Sequence, residues 1–337
     1  MKQIVVHEHR AVLADAEPPA LHEDHPNRVL VKVKYSSISP GTELNLIHHM
    51  DVPSGFKLGY SASGEVLAVG SNVKDLKPGD LVACYGGPYV YHAEQLSVPR
   101  QLCVKLSSDK MLREAAFVGL GSVAIHSVRR LSLQFGETVW VVGLGLLGQF
   151  IAQLSNGANY RVFATDMNNS RIEAVKSYGV EAYMANDERL AERIEAFTEG
   201  HGFDSIALVA HSTSPGIIAS SMEKLAFRGK FAIVGNVPVE VPRELFFQKE
   251  ADLIIARAAG PGRYDEQYED QGIDYPKSYV RWTEGRNMAE FIRQVEAGLL
   301  DIAPLITQEY AFREAEEGYG FMKDHMSETL GVLLRYE

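Results

Sequence analysis

Residues 143 to 148 read Gly-Leu-Gly-Leu-Leu-Gly; they follow the apolar run TVWVV and open a stretch of helical period. That context gives the spacing a chemistry. Gly143 permits a tight turn, Gly145 lets a pyrophosphate approach the backbone, and Gly148 allows the helix to pack closely. A helix starting here offers free N–H groups and the positive end of its dipole to an anion. The following strand pattern ends at Asp166, 18 residues after Gly148. A carboxylate there accepts hydrogen bonds from both ribose hydroxyls of NAD and repels the 2′-phosphate of NADP. The residues after it, MNNS, are uncharged, and the first cation is Arg171. NAD is therefore the expected cofactor. A glycine-rich turn with a solvated Asp in a generic α/β domain is the bland alternative.

The elements that must hold this loop can be read from the hydrophobic period. From Arg28 to Tyr35, RVLVKVKY alternates apolar and polar, the period of half-buried strands, and GEVLAVGSNVKDLKPGDLVACYGG continues in β-rich style with Gly and Pro punctuation. After about Arg113 the style changes: TVWVVGLG, GQFIAQLSNGA, YRVFATD and RIEAVKSYG alternate strand and helix, which predicts βαβ units on a parallel sheet. DSIALVA, KFAIVG and DLIIARA are further strands, with SMEKLAF predicted as a helix between the first two. MAEFIRQVEAGLLD is helical, and residues 261 to 286 have neither period but hold five Tyr and Trp residues, which favours a segment that packs or works.

Composition bounds the function. The chain has 337 residues, 46% hydrophobic and 23% charged, enough for about two domains with a sizeable core. A net charge of −11 disfavours nucleic acid and anionic membrane as partners, since clustered Lys and Arg hold both. The start, MKQIVVHEHRAVLADAEPP, reads as neither signal nor transit peptide, and no apolar stretch reaches a membrane span, so a cytoplasmic location is expected. Cys84 and Cys103 are too few for a disulfide framework or a four-cysteine zinc site and are expected as small buried hydrophobes.

Several segments together resemble one family. ISPGTEL, GYSASGEVLAVG, LKPGDLVA, HAEQLSVP, GLGSVAIHSVRR, GLGLLG and LLDIAPLIT are similar to medium-chain dehydrogenases/reductases of the zinc-type alcohol dehydrogenase kind. SPGTE, the segment HAEQLSVP to LCVKL, and AGPGRYDEQYEDQGIDYPKSYVRWTEGRN resemble a zinc-lacking branch. That branch is related to bacteriochlorophyllide hydroxyethyl dehydrogenase and to the dehydrogenase half of two-domain oxidoreductases. The resemblance implies an α/β chain: a GroES-like β-rich catalytic domain over residues 1–117 and 263–337, a Rossmann doubly wound parallel sheet over 118–262, and an insertion at 260–286. It adds Leu146, Leu147, Met167, Arg171, Ala210, His211, Gly235 and Asn236 to the cofactor-binding set of Gly143, Gly145, Gly148 and Asp166. Relatives commonly pair through the edges of their Rossmann sheets, which implies a homodimer or homotetramer.

The resemblance also implies a missing metal. Where zinc members carry Cys-Gly-Thr-Asp this chain has Pro40-Gly41-Thr42-Glu43; where they carry Gly-His-Glu it has Gly59-Tyr60-Ser61; and a Glu or Cys position falls on Gly119. The cysteine-rich structural-zinc lobe is absent too, and His48-His49 reads as a solvated pair. No metal is expected. Hydride transfer without a Lewis acid needs another proton carrier. Three catalytic candidates follow: Thr42, at the position of the proton-relaying hydroxyl; Tyr60, a phenol in place of a ligand; and His92, at the entrance to a strand that lines the cleft in relatives. Each has a plain alternative, as a turn-bracing hydroxyl, a space-filling aromatic and a surface histidine. A relay through Tyr60 requires its pKa to be lowered from ~10. His126 and His211 are expected as packed or hydrogen-bonded residues.

For substrate, Glu43 either contacts it or braces the turn. Arg263, Tyr264, Arg281 and Trp282, with Arg257 and Tyr275 near them, either clamp a polar molecule or pack the insertion in place. The expected activity is a zinc-independent, NAD-dependent alcohol dehydrogenase or ketone reductase, with hydride passing between nicotinamide and a secondary alcohol carbon of a sugar-like, polyol or larger specialised metabolite. The alternatives are a zinc-free quinone or enone reductase, which Asp166 weighs against, and a dinucleotide-binding regulatory protein whose catalysis has lapsed.

Overall fold

A computed structural model describes every residue except 215 and 242. Backbone packing divides the chain into two units, Met1–Ser122 with Ala259–Glu337, and Val123–Ala258. The first division falls inside the helix Val118–Leu131 rather than before it at 117/118, and the second falls at Ala258 rather than 262.

The first unit is built on a seven-stranded sheet. Its order is Ile306–Ala311, Gly331–Arg335, Arg28–Ile38, Ser61–Val69, Leu81–Tyr85, Cys103–Lys105, with Gln95–Pro99 also pairing with Arg28–Ile38. The alternation in RVLVKVKY is borne out: Val29, Val31 and Val33 are buried while the residues between them are half-exposed. Burying each Val contributes about 1.5–3 kcal/mol relative to leaving it in water. A three-stranded sheet of Arg10–Asp15, Lys2–His7 and Phe56–Lys57 completes the β structure.

The second unit is a six-stranded parallel sheet in the order Glu181–Met184, Arg161–Asp166, Thr138–Val142, Phe203–Leu208, Leu225–Ile233, Asp252–Ile255. Numbered along the unit this is 3-2-1-4-5-6, the doubly wound dinucleotide-binding order. TVWVV is an unbroken apolar run because helices cover both faces of such a sheet. One expectation fails here. SMEKLAF is not a helix: the helix Gly216–Met222 stops early, and Leu225 begins the strand Leu225–Ile233. Phe203 on the neighbouring strand pairs with Leu225, so sheet registry wins over the helical propensity of Met, Glu and Lys.

Candidate active site

In the second unit the glycine loop leaves Thr138–Val142 beside the point where strand order reverses. Gly143 has φ +98° and abuts Ala210, whose backbone N would lie 2.7 Å from a Cβ there. Gly148 lies against the Gly143 carbonyl, which a Cβ would meet at 2.0 Å. Gly145, the N-cap of the helix Leu146–Gly157, faces open space with nothing within 4 Å of where a Cβ would stand. The three glycines thus divide into turn, open approach and packing, and the open one sits at the helix N-terminus, where an anion is favoured.

Asp166 ends the next strand. One carboxylate oxygen accepts from Leu144 N at 2.6 Å, the other from Asn168 N at 2.8 Å, and Arg171 stands 4.0 Å away. The carboxylate therefore shapes the loop and still has lone pairs for ribose hydroxyls. Met167 is exposed. Ala210 and His211 follow Phe203–Leu208, with Val209 N and Ala210 N donating to Val142 O, and Gly235 packs under the Ala210 carbonyl with Asn236 beside it. These residues gather at one end of the sheet, where ligands bind in this fold. Sequence reasoning missed Gln149, fully buried, whose amide donates to Leu144 O and Arg171 O and ties the loop to the next helix. His126 is packed near Arg129 and Arg130, and burial pushes it down to about 4.

In the first unit, Tyr60 is half-buried with the Ser39 and Thr42 hydroxyls within hydrogen-bonding reach. Burial, then the nearby Glu43, push its phenol up to about 12, against the pull of those hydroxyls. The pKa moves opposite to the direction that a phenolate relay needs, because desolvation with the Glu43 charge outweighs the two hydroxyls. Thr42 is exposed on the helix Pro40–His48. The structure thus joins Thr42 to Tyr60.

His92 and Glu43 are joined in one buried network. His92, just ahead of the strand Gln95–Pro99, is fully buried rather than a surface histidine. Its Nε2 donates to Glu43 Oε2 at 3.1 Å, its Nδ1 accepts from Ser36 at 2.7 Å, and Ser36 accepts from Tyr336 at 2.9 Å. Tyr319 also donates to Glu43 Oε2, while Glu43 Oε1 accepts from Ser39 N at 2.8 Å. Glu43, also fully buried, is thereby occupied in holding the turn that presents Ser39 and Thr42.

The positions equivalent to zinc ligands in the resembled family do not fit a metal. Among the described residues no group of three or more His, Cys, Asp or Glu side chains could hold one. The Gly119 position is closed: a Cβ there would meet the Tyr85 ring at 2.7 Å and Ser61 Cβ at 2.9 Å. Ser61 donates to Ala116 O at 2.6 Å and accepts from Gly119 N at 2.8 Å, and Tyr85 packs edge-on to Tyr60.

The insertion is stitched to the first unit. Arg28 and Tyr89 bind Asp270, Asn27 donates to Asp270 O, and Gln101 donates to Gly272 O. Arg263 departs from the clamp expectation. It is buried, pairs with Glu269, donates to Gly87 O, and lies 4.0 Å from the centre of the Tyr264 ring. Tyr264 itself is 59% exposed with φ +67°, a strained backbone for an aromatic. Arg281 and Trp282 line a separate open dent with Lys277 and Ser278. Beneath Arg263, Glu284 is fully buried and neither carboxyl oxygen has a hydrogen-bond partner when ionised. Burial and the Glu269 charge push it up to about 9, against Arg263.

These two folds define a GroES-like β domain with a Rossmann domain. Residues 143–268 match the family model "Zinc-binding dehydrogenase", and residues 25–128 match "Alcohol dehydrogenase GroES-like domain". Sorbitol dehydrogenase of Bacillus subtilis is 27% identical over 99% of this chain and 97% of its own. Alcohol dehydrogenase TADH from Thermus sp. ATN1 superposes with a TM-score of 0.81 at 22% identity, covering 100% of both chains. An Escherichia coli CFT073 alcohol dehydrogenase solved with NADH gives 0.81 at 19%, covering 99% of both. The chain belongs to the medium-chain dehydrogenase/reductase family of zinc-type alcohol dehydrogenase-like enzymes, oxidoreductases that use NAD(H). Among the described residues no helix is long and apolar enough to cross a membrane.

Proposed function

We propose that this enzyme interconverts a secondary alcohol and a ketone on a sugar-like, polyol or larger specialised metabolite, with NAD(H) and without zinc. The observation that carries the reading is the hydroxyl cluster of Tyr60, at a position that holds a metal ligand in the resembled family, with Ser39 and Thr42, beside a Gly119 position closed by Tyr85 and Ser61. NAD(H), when bound, supplies or takes up the hydride. Gly143, Gly145, Gly148 and the helix start at Leu146 and Leu147 hold its phosphates, and Asp166 takes the ribose hydroxyls. Met167, Arg171, Ala210, His211, Gly235 and Asn236 surround it.

Carbonyl reduction also needs a proton. With its pKa near 12, Tyr60 is protonated at neutral pH and donates to the oxygen that becomes the alcohol. Thr42, exposed and within reach of the phenol, returns a proton from solvent. A phenol so hard to ionise is a weak acid that stays protonated near pH 7, so it hydrogen-bonds to the carbonyl and gives up its proton only as hydride transfer builds charge on the oxygen, which suits the reductive direction. His92 and Glu43 work from behind, holding the turn. Tyr264, exposed and stacked on Arg263, offers a face to the substrate, while Arg263 positions it. The edge strand Asp252–Ile255 pairs only with Leu225–Ile233 among the described residues, and Phe227, Phe247 and Ile255 are exposed. That apolar edge supports a homodimer or a homotetramer.

The test is a panel of polyols, sugars, cyclitols and their ketones with NAD or NADH, read at the NADH absorbance. Turnover of at least one pair, reduced at least ~100-fold by Tyr60→Phe with NADH affinity unchanged, supports the reading. Turnover that Tyr60→Phe leaves intact removes Tyr60 from the mechanism.

A further inference from the structure

Cys84 and Cys103 are the chain's two cysteines, and neither takes part in the proposed chemistry. They stand directly opposite each other on the antiparallel strands Leu81–Tyr85 and Cys103–Lys105, the register running Val82 to Lys105, Ala83 to Val104, Cys84 to Cys103. Opposed residues of an antiparallel pair project to the same face, and here the two sulfurs are 3.6 Å apart. Bond formation needs them to close to about 2 Å, a change within reach of rotation about each Cα–Cβ bond. Both side chains are buried in the apolar core of the first unit. Beside them Arg100 donates from Nη1 to Cys103 O at 2.7 Å, and its guanidinium interacts with both sulfurs.

We propose that Cys84 and Cys103 form a redox-modification site, a dithiol that small hydroperoxides convert to a cross-strand disulfide within the folded chain. In the first step a thiolate sulfur attacks the hydroperoxide; an S–O bond forms, the O–O bond breaks, and an alcohol leaves, or water in the case of hydrogen peroxide. In the second step the other sulfur attacks the sulfenic sulfur; the S–S bond forms, the S–O bond breaks, and water leaves. The two thiols together lose two protons and two electrons, and the hydroperoxide is the oxidant reduced.

The hydrogen bond with Cys103, then burial, push the Cys84 thiol up, so the thiolate is scarce and the reaction is slow. Arg100 opposes this by favouring negative charge on the Cys84 sulfur. Burial of both side chains excludes bulky disulfides such as oxidised glutathione, which is why the oxidant proposed is one the size of hydrogen peroxide. Because sulfur faces sulfur, the sulfenic acid is captured by its neighbour before further oxidation. Tyr85, next to Cys84, packs against Tyr60 and the Gly119 position, so the bond would be tied to the strand end that carries a wall of the proposed site.

The experiment treats the intact native protein with hydrogen peroxide, unfolds it in excess N-ethylmaleimide and maps its peptides by mass. Exposed Met167 serves as the internal measure of oxidant exposure. The expected result is a peptide pair joined through Cys84 and Cys103, two hydrogens lighter than the separate peptides, no maleimide on either cysteine, and full return of both thiols with dithiothreitol. Both cysteines still carrying maleimide after Met167 has become sulfoxide overturns the proposal. So does sulfinic acid at either position without the linked pair, or a linked pair that arises only in protein unfolded before oxidation.

Discussion

Replacing Glu284 by Gln is expected to stabilise the protein in alkaline solution and leave it nearly unchanged in acid. The carboxyl is fully buried at the start of the helix Glu284–Glu296, with Glu269 already claiming the Arg263 guanidinium. In the fold burial, then the Glu269 charge, push its pKa up to about 9, from an ordinary value of 4.5. A raised carboxyl pKa means that its contribution to stability is fully present below about pH 4.5 and is lost progressively as pH rises towards 9. Between those limits the native chain holds one proton that the unfolded chain releases. One proton corresponds to a slope of at most about 1.4 kcal/mol per pH unit, hence about 3 kcal/mol between pH 6 and pH 8. The Gln amide keeps the volume and can donate towards Glu269 in place of the protonated acid, but does not titrate. Urea unfolding at several pH values reads this through Trp282, two residues from the substitution, in a Trp140→Phe background that silences the other unit's tryptophan. The variant's stability should fall less steeply with pH than the parent's, and the two curves should meet near pH 5. Parallel curves, or a variant less stable than its parent at pH 8, would refute the assignment of a buried neutral acid.

Other outcomes are as direct. Protein purified without chelator should hold far less than one zinc per chain by elemental analysis and keep its activity after chelation; stoichiometric zinc would overturn the metal-free reading. Calorimetry should give NAD(H) a dissociation constant at least tenfold below that of NADP(H), about 1.4 kcal/mol, with Asp166→Ala narrowing the gap; equal constants in the parent would count against Asp166. Light scattering at micromolar concentration should return a dimer or a tetramer, and a monomer mass would dismiss the apolar edge as an interface. Arg263→Ala leaves Glu269 and Glu284 together without their cation and should cost about 3–5 kcal/mol. Tyr264→Gly relieves a φ of +67° and should raise KM without loss of stability, so equal KM values would remove Tyr264 from substrate binding.

Much of the architecture was legible because its signals are local. GLGLLG after an apolar run, an Asp at the end of the next strand, and the alternation in RVLVKVKY each need only a window of a few residues. Leu225–Ile233 was misread at its start because partner strands supply what LAF lacks in β propensity. The surroundings of the proposed site were hidden for a different reason. Glu43 meets His92 across 49 residues and Tyr319 across 276, and Ser36 meets Tyr336 across 300. No spacing encodes such a network, and without it His92 stands between catalyst and surface histidine and Glu43 between substrate contact and turn brace. The choice between clamp and packing for Arg263 is open in the sequence for the same reason: Glu269 is near, but the Gly87 carbonyl that receives the guanidinium is 176 residues away.

The first unit is assembled from both ends of the chain, and this orders its birth on the ribosome. Strand Gly331–Arg335 lies in the interior of the seven-stranded sheet, between Arg28–Ile38 and Ile306–Ala311. Residues Val123–Ala258, by contrast, are contiguous and emerge as a complete parallel sheet. At a synthesis rate of ~5–20 residues per second, the Tyr35–Ile38 end of the strand Arg28–Ile38 waits on the order of ten seconds or more with one edge bare, its partner not yet translated, while Gln95–Pro99 already covers the Arg28–Lys32 end. A nascent chain in that interval offers a template for β pairing that the finished protein covers. The vulnerable form of this enzyme is therefore one that has its nucleotide fold complete and its other half unclosed, and chaperone demand should track the last strand rather than the first.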